Sequence, residues 1–202
     1  MKLFRKYILI EKSQKFLALD LELNQPSGKI IQVGIAIGSA NDKFENYITK
    51  KWYIDPKEPI SDFIIGLTGI TDHDIRANCV SHETVARELS DLIKQHNTWI
   101  NPITWGGGDS RELLDEFCKN YADFPHFGRR WIDCKTFYTF VMFSRGKNPS
   151  GGLSSAMGAF KMHFRGTAHR ADIDAVNTLA LFFKFLERQR GLENLLHDAR
   201  AI

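Results

Sequence analysis

The stretch Phe16–Asn24, FLALDLELN, decides how this chain is read. It has the apolar content of a buried strand, yet Asp20 and Glu22 interrupt it where Val or Ile would be expected. Side chains alternate faces along a strand, so the two carboxylates project from the same side toward one common object. An acid inside an apolar strand is costly unless paired, and the surrounding sequence offers no obvious basic mate.

Working outward, QPSGK at Gln25–Lys29 is turn chemistry, and a second strand starts at Ile30 in IIQVGIAIGSAND. A third is expected over Lys43–Ile54, which completes an antiparallel meander that Asp55-Pro56 ends. Ser61 and Thr71 then suit the N-caps of two short helices, with Gly66 and Gly69 breaking the run between them. From Ser81, Val85, Leu89, Leu92 and Ile93 fall on one helical face. A short strand to Trp105, a glycine turn and a helix from about Ser110 follow, then a strand at Trp131–Cys134. After the loop at Gly146–Gly152 the chain is helical, and Ile173, Val176, Leu179, Ala180 and Phe183 line the apolar face of the last helix. The order predicts an α/β sandwich whose mixed sheet continues an antiparallel meander with parallel strands.

The 202 residues suit a single domain spanning 1–202, and 43% hydrophobic with 25% charged residues is a globular balance rather than a disordered one. A net charge of +3 permits a polyanionic partner without announcing one. Cys79, Cys118 and Cys134 have an odd count and no C-x-x-C spacing, which argues against a disulfide framework or a zinc knuckle. The opening MKLFRKYILIEK has too short an apolar patch for a leader or a membrane span, so no membrane association and a cytoplasmic residence are expected.

Two further acids fall at element ends. Asp109 follows the WGGGD turn, where glycines let backbone approach a ligand, and Asp174 lies in the first turns of the last helix, five residues after His169. Taken alone, Asp109 also suits a helix cap, Asp174 and Asp172 suit solvated helix positions, and a single histidine is more often structural. Together, four converging carboxylates would repel by several kcal/mol at an effective dielectric near 20, so a cluster needs a compensating cation. Oxygen-only ligands select a hard divalent ion such as Mg²⁺ or Mn²⁺. Two such ions about 4 Å apart are a known device for in-line displacement at phosphorus. A histidine beside them is suited to take a proton near neutral pH.

The order of DLE at Asp20–Glu22, the Asp109 of TWGGGDSRELL and HRADID at His169–Asp174 resembles the three motifs of the DEDDh, or DnaQ-like, 3′→5′ exonucleases. The last fits H-x-A-x-x-D through His169, Ala171 and Asp174, and GLTGIT at Gly66–Thr71 resembles the family's loop beside the terminal nucleotide. The likeness is nearest the RNA-directed branch that holds the histone-mRNA 3′ exonuclease and KapD-like bacterial proteins. It implies an RNase H-like fold, a mixed five-stranded sheet flanked by helices. It also implies that Asp20, Glu22, Asp109 and Asp174 hold two Mg²⁺ ions, with Mn²⁺ as a substitute, and that His169 is the general base. Leu23 and Asn24 would meet the 3′-terminal sugar, Leu67 and Thr68 would flank the last base, and Arg170 would contact substrate. The implied substrate is a single-stranded RNA or DNA 3′ end, RNA favoured, cut to nucleoside 5′-monophosphates, and a homodimer occurs in the wider family. The alternatives are an RNase H-like endonuclease and a nucleic-acid-binding module with a decayed site.

Overall fold

The computed structural model describes residues 13–199; the opening stretch 1–12, read above for a leader, lies outside them. Strands β1 (Phe16–Leu23), β2 (Ile30–Gly38) and β3 (Ile48–Tyr53) form the expected meander, and β4 (Ile103–Thr104) and β5 (Ile132–Asp133) extend it. The sheet order is β3-β2-β1-β4-β5. The first three strands pair antiparallel and β1, β4 and β5 pair parallel, so the mixed five-stranded sheet is the one the sequence predicts.

Strand alternation sorts β1 into two faces. Leu17, Leu19 and Leu21 pack with Val85, Leu89, Leu113 and Phe117, from helices α3 (His82–His96) and α4 (Asp109–Lys119). Phe16 and Ala18 face the other core, built by helices α5 (Cys134–Ser144), α6 (Leu153–Ala159) and α7 (Ala171–Ala199). Asp20 and Glu22 share that second face, at the end of the strand where the apolar core gives out. Helices α1 (Asp62–Thr68) and α2 (Asp72–Asn78) seal a small third cluster around Ile31, Ile64 and Ile75.

The helix starts follow local chemistry. Ser61 accepts from the Ile64 N–H, and Thr71 forms a reciprocal capping box with Asp74. Gly66 lies inside α1 instead of breaking it; Gly69, at φ 69°, supplies the left-handed turn that ends the helix. The segment before β3 is also shorter in strand than expected, because Phe44–Asn46 coils into a 3₁₀ turn. Likewise β5 stops at Asp133, whose carboxylate caps α5 by accepting from the Lys135 and Thr136 N–H groups, so Cys134 is already helical.

One glycine sets how α7 meets the sheet. Gly34 lies opposite Asp20 in the β1–β2 register. A Cβ there would sit 2.0 Å from the Ala171 carbonyl carbon and 2.1 Å from the Asp172 nitrogen. Only a residue without a side chain lets the first turn of α7 rest on the β2 backbone. Next to it, the fully buried Gln32 accepts the Ala171 N–H at 2.8 Å and fixes the helix start. No described helix is long and apolar enough to cross a membrane.

Candidate active site

Seating α7 on β2 brings its first turns beside β1. Asp20, Glu22 and Asp174 each offer a carboxylate oxygen, and the three oxygens lie within 4.8 Å of one another. They open into a cleft of ≈ 440 Å³, whose wall also includes His169, Trp105, Leu153 and Phe164. The ring of His169 is carried on a left-handed backbone, φ 61°, a conformation rare for a residue with a Cβ and concentrated at functional sites.

Burial dominates the electrostatics. It pushes the Asp20 carboxyl well above the usual carboxylate range, and the charges of Asp109, Asp174 and Glu22 push it further. Glu22 rises to about 8, by burial first and Asp174 next, with the Arg170 guanidinium pulling the other way. Asp109 rises to about 7, again chiefly by burial, with a backbone N–H opposing and Asp133 adding to the rise. Asp174 is raised by burial against hydrogen bonds from the Arg170 and His169 backbone. All four carboxyls are thus shifted upward, chiefly by burial and by one another, so gathering their charges here calls for a cation.

That counter-charge has one fitting chemistry. Every donor in the three-acid group is a carboxylate oxygen, the set preferred by a hard divalent cation. With this geometry in view, the match of residues 17–182 to the RNase T exonuclease family is decisive.

The chain belongs to that family, the DEDDh 3′→5′ exonucleases. These exonucleases share its fold in solved structures. A 3′-exonuclease captured in recognition of a histone mRNA stem-loop superposes with a TM-score of 0.73 at 19% identity, covering 88% of this chain and 84% of that one. Cell-death related nuclease 4 gives 0.73 at 16% identity, with 88% and 65% covered. E. coli exonuclease I in complex with a dT13 oligonucleotide gives 0.64 at 21%, with 91% and 43% covered. No curated protein sequence matches the chain. DEDDh nucleases use divalent metals, and the acidic group of this chain fits one.

The remaining motif residue, Asp109, is the first residue of α4, with Gly108 as the cap position, so it is not itself the helix cap. It stands outside the 4.8 Å group, yet close enough for its charge to act on Asp20 and Glu22. Gly106, at φ 113°, turns the chain between β4 and Asp109. Asp133 accepts the Gly106 N–H at 3.1 Å and so anchors that turn to the head of α5. The sequence analysis missed Asp133 in this role; its signal was the D-x-x-T spacing of an N-cap in DCKT.

Among the residues expected to contact substrate, two have polar side chains that bond within the protein. The Asn24 amide donates to Glu58 at 2.8 Å and to the Pro59 carbonyl at 3.1 Å, and its oxygen accepts the Ser61 N–H at 3.0 Å. Its side-chain polar atoms therefore tie the β1–β2 turn to the start of α1. The buried Thr68 hydroxyl donates to the Ile64 carbonyl and accepts the Ile70 N–H, so it too belongs to the framework. Leu67 beside it is 40% exposed and Leu23 is half-buried. Arg170 donates to the Thr68 carbonyl at 3.3 Å and the Tyr53 hydroxyl at 3.1 Å, clamping α1 and β3 to the head of α7. Asp172 bridges to Lys51 at 3.3 Å rather than being solvated, and is not part of the three-acid group. Leu23, Asn24, Leu67, Thr68 and Arg170 all lie outside the lining of the cleft.

Proposed function

We propose that the protein hydrolyses single-stranded nucleic acid from the 3′ end, releasing nucleoside 5′-monophosphates, with RNA favoured over DNA. The observation that carries this reading is the convergence of Asp20, Glu22 and Asp174 within 4.8 Å, in a cleft that also holds His169. With Asp109, these acids would hold two Mg²⁺ or Mn²⁺ ions. When bound, such ions supply charge neutralisation at the phosphate and lower the pKa of a coordinated water.

The chain's own residues do the rest. His169, in the wall of the same cleft, takes the proton of the attacking water at a ring nitrogen. Trp105, Leu153 and Phe164 give the cleft an apolar wall, against which the flat face of any base lies with little preference for sequence. Leu67, exposed and outside the cleft lining, is free to meet the terminal base. The preference for RNA draws support from the likeness to the exonuclease seen with a histone mRNA stem-loop.

The test uses end-labelled single-stranded and duplex RNA and DNA, with Mg²⁺ and with chelator. Stepwise shortening from the 3′ end, fastest on single-stranded RNA and lost with chelator, is expected. Cleavage of circular single strands would support an endonuclease, and activity that survives chelation would end the two-metal reading.

A further inference from the structure

About 20 Å along α7 from Asp174, at 1.5 Å per residue, lies a second cleft with the opposite electrostatic character. It has ≈ 410 Å³ and is lined by Arg145, Lys161, Lys184 and Arg188 around Phe160, with Glu187 as its one acid. Glu187 is taken by Lys184 at 2.7 Å. Among the described residues, Arg145, Lys161 and Arg188 have no carboxylate within ion-pair distance. The two guanidiniums are instead held by one ring: the Arg145 carbon lies 4.8 Å and the Arg188 carbon 5.6 Å from the Phe160 centroid.

Three cations without acids in one concavity repel each other as the carboxylates do at the other end of the helix. The fitting counter-charge is an anion. Helix α6 joins the two places directly, since Leu153 lines the acidic cleft and Ala159 the basic one. The surface nearby carries flat faces as well. Phe140 and Phe143 on α5 are 67% and 62% exposed, and Phe140 continues through Phe137 and Phe185 to Phe160. Cations beside unshielded aromatic rings match a single strand, which offers phosphates and unpaired bases together.

We propose that the Arg145–Lys161–Arg188 pocket binds backbone phosphate of the single-stranded substrate upstream of the 3′ end held at the carboxylates. This rests on the exonuclease reading above and adds to it a distal subsite. A stacked strand advances about 3.4 Å per nucleotide, which puts the pocket roughly six nucleotides from the end, fewer for an extended strand.

The test compares wild type with the Arg145→Gln/Lys161→Gln/Arg188→Gln variant and with an Arg145→Lys/Arg188→Lys variant that keeps the charge. Binding of a labelled single-stranded RNA of about 12 nucleotides is measured in chelator across about 50 to 200 mM salt, beside a thermal melt of each protein. The neutral variant is expected to lose about tenfold in affinity at low salt, and its log–log salt slope to become shallower by about 2, or about 0.7 per lost phosphate contact. The lysine variant should keep most of the slope. With Mg²⁺, the ratio of kcat/KM for the long RNA to that for a dinucleotide should fall about tenfold in the neutral variant, in line with the binding loss. An unchanged slope, no measurable salt-dependent binding by wild type, or equal losses on long and short substrates would overturn the pocket. The outcomes separate the two ideas: a folded wild type that binds RNA through these residues but releases no nucleotide keeps the pocket and removes the exonuclease reading.

Discussion

Replacing Glu22 by Gln should make the metal-free protein more stable while disabling it. Glu22 has its carboxyl pushed from an ordinary 4.5 to about 8, chiefly by burial. A group whose pKa is higher in the folded than in the unfolded state contributes stability that is complete below the unfolded value and is lost as pH climbs through the folded one. The window is therefore about pH 4.5 to 8, and the slope is about 1.4 kcal/mol per pH unit. At pH 7 the native state bears a cost of about 3 kcal/mol from this carboxyl, which the neutral amide of Glu22→Gln does not bear. For a chain of this length that corresponds to a Tm higher by roughly 6–12 °C. Urea titrations of both proteins in chelator at about pH 5, 6, 7 and 8 check it. The stability gap should widen in favour of the variant, by about 3.5 kcal/mol over that range. Mg²⁺ should shrink it by stabilising wild type more strongly at the alkaline end. A gap that stays constant with pH would refute the account of Glu22 as a buried acid awaiting a cation.

Other outcomes follow from the same geometry. Asp20→Ala should abolish chelator-sensitive nucleotide release, and His169→Ala should lower kcat by about 10²- to 10⁴-fold while leaving Mg²⁺ binding by calorimetry in place. Gly34→Ala drives a methyl into the first turn of α7, so a loss of about 1–3 kcal/mol in urea melts is expected, with activity falling further than stability. Asp133→Ala removes the α5 cap and the anchor of Gly106; it should cost about 1–2 kcal/mol and reduce metal affinity through Asp109. A Gly34→Ala protein with wild-type activity, or an Asp133→Ala protein with wild-type metal affinity, would contradict the positioning roles assigned to these residues.

How much of this was legible in the sequence depends on where the partners of each residue lie. Asp20 and Glu22 stood out because acids at alternate positions of an apolar strand break a local pattern. Caps at Ser61, Thr71 and Ser81 were readable because each bonds within three residues of itself. The surroundings of Asn24 were not legible for the opposite reason. The groups that engage Asn24 are Glu58, Pro59 and Ser61, more than thirty positions away, and no local pattern announces them. Gly34 passed unnoticed within a run of strand-forming residues, although a glycine inside a strand signals close approach of another backbone. The basic pocket was invisible because Arg145, Lys161 and Arg188 come from three separate segments and meet only over Phe160.

The acidic cradle is assembled from β1, the first described element in chain order, and α7, the last. A polypeptide that has formed its meander but not docked its final helix owns two of the three clustered oxygens and no imidazole above them. On the proposed activity, a copy whose last helix is missing or undocked should release no nucleotide, because the set of groups that would do the chemistry closes only when the tertiary structure does.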